Sequence, residues 1–384
     1  MFYLNPHFVG AGLQRNMWYF ETVNSSPRLT ARQIFTGYKW IYNAELVLKE
    51  GHIEAILPTT EPPRYDLLVP AFIDIQLYGA YGRLFSVFPD SASLNALYRY
   101  CQEGGASFFL PTIATNTRQV LSDAIRAVRD YWQQEGKGCL GLHLEGPWLA
   151  PQKRGAHVEA LLHSPTKQEV DDLLDEGEGI IKLITLAPEI CDRELVAYIA
   201  SRGIKLSLGH SNASFEQATS AFSEHVSLAT HLFNAMSPMQ HRSPGVVGAI
   251  LSSDSVMASI IPDGHHVDWS VIQIAKKLMG ERLFAITDAV TETDQGPYLH
   301  QPVADRFMTQ GTLSGSSLNM LRAFNNLIRF CKIDVEEALR MCSLYPARAI
   351  GLEEKLGQFS PGLEAHWIAL TKKDQLYTII DHTP

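Results

Sequence analysis

The chain has 384 residues, with 32 Lys and Arg against 41 Asp and Glu, a formal charge of −9, and 46% hydrophobic against 19% charged residues. This is an ordinary globular composition, long enough for a barrel of roughly 250 residues with a smaller module beside it, and it excludes a disordered, collagenous or coiled-coil chain. A pI near 5.9 without any Lys/Arg block argues against nucleic acid or an anionic membrane as the main partner, since both need a dense positive footprint.

Residues 1–30, rich in aromatics and Asn, show no period and read as an extension of unassigned role. They contain no basic segment followed by a continuous apolar one, and no stretch of the chain approaches the roughly 20 apolar residues of a membrane span, so the expected location is the cytoplasm. Five scattered cysteines, Cys101, Cys139, Cys191, Cys331 and Cys342, lack any framework spacing and read as reduced thiols.

From residue 32 short apolar segments alternate with turn residues, at 33–36, 40–42, 46–49 and 53–57, and the same pattern returns at 365–370 and 376–380. Both ends are therefore expected to build one small β-sandwich domain, residues 1–67 with 358–384, into which residues 68–357 are inserted. That central part alternates buried-strand candidates (68–77, 107–113, 141–144, 180–186, 204–208, 226–230, 256–261 and 283–286) with helical stretches such as 92–103, 118–134, 166–174, 193–202, 214–223 and 269–279. Eight such alternations predict an α/β fold, a parallel (β/α)8 TIM-like barrel. A doubly wound sheet competes with it, but no G-x-G-x-x-G follows the first strand.

The polar residues at the C-terminal ends of these strands carry the chemistry: Gln76, Glu145, His210, His231, Asp263 with His265 and His266, and Asp288. In a parallel barrel those ends converge on the face where catalytic groups sit. A lone histidine there is better explained as a hydrogen-bonded structural residue than as a metal ligand. Glu145, however, follows an apolar strand, and a buried carboxylate needs a counter-charge. With His210 and His231 it offers one oxygen and two imidazole nitrogens, a three-ligand set for a divalent cation that leaves a position open for water. Asp288 could cap the following helix, or exchange a proton with water beside such a cation.

Nine ordered motifs then carry a resemblance. Among them are Pro70-Ala71-Phe72-Ile73-Asp74-Ile75-Gln76, His143-Leu144-Glu145-Gly146-Pro147, Gly209-His210-Ser211-Asn212-Ala213, Thr230-His231-Leu232-Phe233-Asn234-Ala235-Met236, Asp263-Gly264-His265-His266 and Thr287-Asp288-Ala289. From about residue 32 to the C-terminus the chain resembles the N-acetylglucosamine-6-phosphate deacetylase family of amidohydrolases.

The resemblance implies metal-dependent hydrolysis of the acetamide of N-acetyl-D-glucosamine 6-phosphate to D-glucosamine 6-phosphate and acetate. It makes Glu145, His210 and His231 the metal ligands, Asp288 the catalytic acid/base, and His157 the group that polarises the acetyl carbonyl. It assigns substrate contacts to Gln76, Ala156, His157, Asn234, Ala235, Arg242, His266, Leu313 and Ser314. Of these, Arg242 and His266 are expected to bind phosphate across the interface of a homodimer. Many superfamily members hold a second metal with His-x-His at the end of strand one. Gln76 and Tyr78 stand at those places, so one divalent ion per subunit is expected, zinc first, with iron, cobalt or manganese as alternatives. The galactosamine epimer, or a different amide without phosphate, remains an alternative substrate. A non-catalytic sugar-phosphate sensor would have no need of Asp288.

Overall fold

The computed structural model describes residues 27–383, so most of the expected N-terminal extension lies outside the described residues. Six strands join the two chain ends in the order Leu376–His382, Trp367–Lys373, Tyr65–Pro70, Arg28–Phe35, Trp40–Lys49, His52–Pro58. Arg28–Phe35 runs parallel to Tyr65–Pro70, and the other pairs are antiparallel. Hydrogen bonding is continuous through all six, so the expected sandwich is, in its pairing, one mixed sheet. Ile34, Leu46, Ile53, Leu68, Trp367 and Ala369, from both chain ends, lie in its own apolar core.

The strand expected over 68–77 is divided. Tyr65–Pro70 belongs to the terminal sheet, and the barrel begins with Phe72–Leu77. Pro70 has no N–H to donate and ends the pairing with Trp367–Lys373; the Ala71 N–H still goes to the neighbouring His366 carbonyl at 3.0 Å, and the Phe72 N–H turns to the barrel, donating to the Gly105 carbonyl at 2.8 Å. Every residue of Phe72–Leu77 is buried, as expected for a parallel strand covered on both faces.

The eight parallel barrel strands follow in chain order: Phe72–Leu77, Ala106–Ala114, Leu142–Glu145, Ile181–Leu186, Lys205–Leu208, Leu228–Ala229, Met257–Ile260 and Leu283–Ala285. Closure between the last and the first comes just beyond them, where the Asp288 N–H donates to the Gln76 carbonyl (2.9 Å) and the Tyr78 N–H to the Ala289 carbonyl (2.8 Å). The outer helices are started by side-chain caps. Thr166 with Glu169 and Ser214 with Gln217 form reciprocal capping boxes that satisfy otherwise orphaned N–H groups.

A three-stranded antiparallel sheet, Gln301–Val303, Arg306–Thr309 and Thr312–Ser316, follows strand eight and was not anticipated. Its strands are short and its first is wholly exposed, so it lacks an apolar run. The Ser316 N–H donates to the Asp288 carbonyl (2.9 Å), which fixes this sheet against the catalytic end of the barrel. All five cysteines are free, and among the described residues no helix is long and apolar enough to cross a membrane.

Candidate active site

Strand order determines which distant residues meet. Glu145 ends barrel strand three, His210 and His231 follow strands five and six, Asp288 follows strand eight, and all four are buried. His210, His231 and Asp288 have φ of +48°, +38° and +54°, the left-handed region that costs non-glycine residues roughly 1–3 kcal/mol each. The chain turns sharply as it leaves each strand, which aims these side chains at the barrel axis.

The Nε2 of His231 lies 2.9 Å from Glu145 Oε1 and 3.1 Å from His210 Nε2, and His210 Nε2 is 3.4 Å from the same oxygen. Ligand bonds of about 2.0–2.2 Å at tetrahedral angles place donor atoms about 3.3–3.5 Å apart, so this triangle, with sides of 2.9, 3.1 and 3.4 Å, is a few tenths of an ångström tighter than a small divalent cation requires. Glu145, His157 and His210 also offer donor atoms within 4.8 Å of one another. The far side of each ring separates the two sets.

His210 Nδ1 lies 2.9 Å from the Lys153 carbonyl, which can only accept. Nδ1 therefore carries the proton, and Nε2 turns a lone pair toward the carboxylate, an arrangement that a cation between them makes favourable. His157 has the opposite tautomer. The Thr115 N–H donates to its Nδ1 at 3.3 Å, leaving Nε2–H to donate to Glu145 Oε2 at 3.2 Å. Burial, reinforced by neighbouring His210, lowers His157 to about 4, so the ring is neutral near pH 7. His157 is thus a donor, whereas His210 is built to ligate. His231 Nδ1 is buried with no hydrogen-bond partner among the described residues, so its bonding is concentrated at Nε2, on the shared triangle.

Burial raises Glu145, but hydrogen bonds and charge from the three histidines outweigh it and hold the carboxyl well below its ordinary range. Asp288 is raised by burial despite opposition from His266 and His231. Its Oδ1 accepts from Gln76 Nε2 (2.9 Å), while Oδ2 faces His266 Nε2 at 3.9 Å.

These groups border a cavity of about 350 Å³ whose wall includes Ala156, His157, Asn234, Ala235, His266, Leu313 and Ser314. His157, which by sequence alone reads better as an exposed loop residue, is 5% exposed. Two expected substrate contacts lie elsewhere than the resemblance implied. Gln76 is not on the cavity wall. Its Nε2 lies within hydrogen-bond distance of Tyr78 Oη (2.7 Å), Asp288 Oδ1 (2.9 Å) and Glu145 Oε1 (3.2 Å), three acceptors that share its two N–H protons. Nor does His266 need to reach across an interface. It follows strand seven, on the same face as Asp288, and lines the cavity of its own chain. Asp263 holds it there, accepting from its Nδ1 at 2.6 Å and from its N–H at 2.8 Å. Arg242 is exposed and stands off the cavity.

Sequence reasoning missed Tyr298 and His300 on the cavity wall, and it saw Tyr78 only as a poor ligand. Tyr298 and His300 lie on an irregular segment with no periodicity to mark them. Tyr78 donates to Glu145 Oε2 at 2.6 Å, and it could have been singled out by its two-residue spacing from Gln76.

Asp74 supports the site from below. It accepts from Thr287 Oγ1 (2.5 Å), the Thr287 N–H (3.2 Å) and the Gln76 N–H (3.3 Å), tying strand one to the residue before Asp288. Burial raises its carboxyl to about 7, against the opposing hydrogen bonds from Thr287 and Gln76. A folded-state value above the ordinary 3.8 stabilises the fold at low pH, and that contribution is lost as pH rises toward about 7. Asp74→Asn is therefore expected to flatten the decline in unfolding free energy from about pH 4 to 7. Parallel urea-denaturation profiles for variant and wild type over that range would contradict this.

A profile of the amidohydrolase family matches residues 67–382. The N-acetylglucosamine-6-phosphate deacetylase of Haemophilus influenzae is 33% identical over 362 residues, covering 89% of this chain and 94% of the relative. The N-acetylgalactosamine-6-phosphate deacetylase of Escherichia coli is 31% identical, again covering 89% and 94%. Among solved structures, the N-acetylglucosamine-6-phosphate deacetylase of Pasteurella multocida superposes with a TM-score of 0.86 at 32% identity, covering 93% of this chain and 98% of that one. With its eight-stranded barrel and its carboxylate–imidazole cluster at the strand tips, the chain belongs to the amidohydrolase family, in the group that holds the N-acetylglucosamine-6-phosphate deacetylases.

Proposed function

We propose that this protein hydrolyses the acetamide of N-acetyl-D-glucosamine 6-phosphate, releasing acetate and D-glucosamine 6-phosphate. The observation that carries the reading is the Glu145, His210 and His231 triangle beside Asp288, in a chain one-third identical to such an enzyme over nearly its whole length. Those three residues would hold one divalent cation, with zinc suited to the N,N,O donor set and iron, cobalt or manganese also compatible. A cation there supplies Lewis acidity, polarising the acetyl carbonyl and making water a better acid.

The chain's own groups do the rest. Asp288 Oδ2, left free because Gln76 occupies Oδ1, accepts a proton from the attacking water. As the carbonyl becomes tetrahedral, His157 Nε2–H can turn from Glu145 to the developing oxyanion, donating as a neutral ring without giving up its proton. The proton on Asp288 then passes to the sugar nitrogen as the C–N bond breaks, leaving a free amine and acetic acid, which gives its proton to solvent to become acetate. His266, oriented by Asp263, borders the cavity where it can meet the phosphate. Arg242, exposed and away from its own cavity, suits a phosphate contact in a second subunit of a homodimer.

The galactosamine epimer is the second reading, favoured by the Escherichia coli relative. Acetate release should be measured on both 6-phosphates and on unphosphorylated N-acetylglucosamine. The gluco 6-phosphate is expected to give the highest kcat/KM. Arg242→Ala should raise KM for the phosphorylated sugar by about 10-fold or more, as for loss of a charge-assisted hydrogen bond, and should scarcely affect the unphosphorylated one. Equal effects on both would remove phosphate recognition, and with it this substrate class.

A further inference from the structure

We infer that His300 is a specificity-determining residue whose Nε2 hydrogen-bonds a ring hydroxyl of the sugar, with Ser314 holding the opposite nitrogen. This deepens the deacetylase reading and rests on it.

His300 is 5% exposed and lines the cavity. Its Nδ1 lies 2.9 Å from Ser314 Oγ, on the last strand of the three-stranded sheet. Its backbone carbonyl accepts the Thr293 N–H at 3.2 Å. The ring stacks at 9° on Tyr298, with centroids 6.1 Å apart. The Tyr298 hydroxyl donates to the Thr115 carbonyl at 2.6 Å, and the N–H of Thr115 is the group that fixes the tautomer of His157. One braced wall therefore runs from His157 beside Glu145 to His300, and a shift of either end would disturb the other.

Nε2 is the one polar atom of this wall that the protein leaves free. Among the described residues no hydrogen bond reaches it, although Nδ1, Tyr298 Oη and both nitrogens of His157 are all engaged. A polar atom buried beside protein and open only to a ligand cavity discriminates by what it loses when unpaired. The partner's class follows from charge. Burial lowers His300 to about 4, so the ring is neutral where the enzyme would work and is a poor match for a dianionic phosphate. A hydroxyl can donate or accept and so fits whichever tautomer Ser314 selects. Because Ser314, the sheet and Tyr298 fix the ring, the direction of that hydroxyl is read, and a ring epimer that reverses it loses the bond.

The test uses His300→Leu and His300→Gln in the metal-loaded enzyme, with N-acetylglucosamine 6-phosphate and analogues lacking each free ring hydroxyl in turn. His300→Leu should lower kcat/KM for the parent sugar by about 10- to 100-fold, mostly through KM. For one analogue the loss should shrink to about twofold or less, because that analogue has nothing left to lose. His300→Gln, which keeps a hydrogen-bonding end, should recover part of the parent activity. Equal losses on every analogue would assign His300 a structural role, and no loss on any would remove the contact; either overturns the inference while leaving deacetylation intact. If the wild-type enzyme releases acetate from no amino-sugar phosphate, the deacetylase reading itself falls, and this inference with it.

Discussion

Asp288→Asn is expected to keep its fold and its bound ion while releasing acetate about 10²–10⁴-fold more slowly than wild type, the usual worth of a positioned general acid–base group. The asparagine oxygen can still accept the Gln76 amide that now reaches Oδ1, and the backbone bonds of residue 288 to Gln76 and Ser316 do not involve the side chain. What disappears is the basic oxygen at the Oδ2 position, the group assigned to take a proton from water and return it to nitrogen. Because the Glu145, His210 and His231 triangle does not include Asp288, the ion content of the variant should equal that of wild type. The measurement pairs an acetate assay with elemental analysis of the same sample. Near-normal turnover would remove Asp288 from the mechanism, and loss of the ion would make it a ligand.

Removal of the cation should bring acetate release to background, and one equivalent of zinc per subunit should restore it. The stoichiometry follows from the neighbourhood of Glu145. Where a second cation would stand between Glu145 and Asp288, the Gln76 amide bridges the two carboxylates, and Tyr78 donates to Glu145 Oε2. Neutral donors there occupy Glu145 Oε2 and Asp288 Oδ1, and an amide nitrogen and a protonated phenol are poor ligands beside imidazole, so a second ion would lack its imidazole pair. His210→Gln should lose the retained ion, since the lone pair that Lys153 directs inward through Nδ1 goes with the ring. His157→Gln should retain it, because Nε2 of His157 carries a proton. Two equivalents in the wild-type protein, or an ion lost from the His157 variant and kept in the His210 variant, would reverse these assignments.

Much of this could be read from the chain. The barrel strands are short apolar runs because a parallel sheet covered on both faces needs no polar alternation, and a polar residue ending such a run stands out against it. Glu145, His210, His231 and Asp288 were visible for that reason. The division of residues 68–77 was not, since an apolar run continues on both sides of Pro70 while its hydrogen-bond partner changes. The three-stranded sheet after strand eight was not visible either, because it is fixed by backbone bonds to the strand-eight end.

What the sequence determined by itself is the fold class, the set of chemically capable residues and the absence of a His-x-His pair, all of which depend on local pattern and residue type. Only the tertiary structure decided which histidine turns a lone pair toward Glu145 and which a proton, that Gln76 sits between two carboxylates and off the cavity wall, that His266 lines the cavity of its own chain, and that Tyr298 and His300 wall the cavity. A ring's tautomer and a side chain's free valence are set by what lies on its far side. Here those partners, Lys153, Thr115, Asp263 and Ser314, come from turns, loops and a short strand whose positions relative to the rings no local pattern encodes.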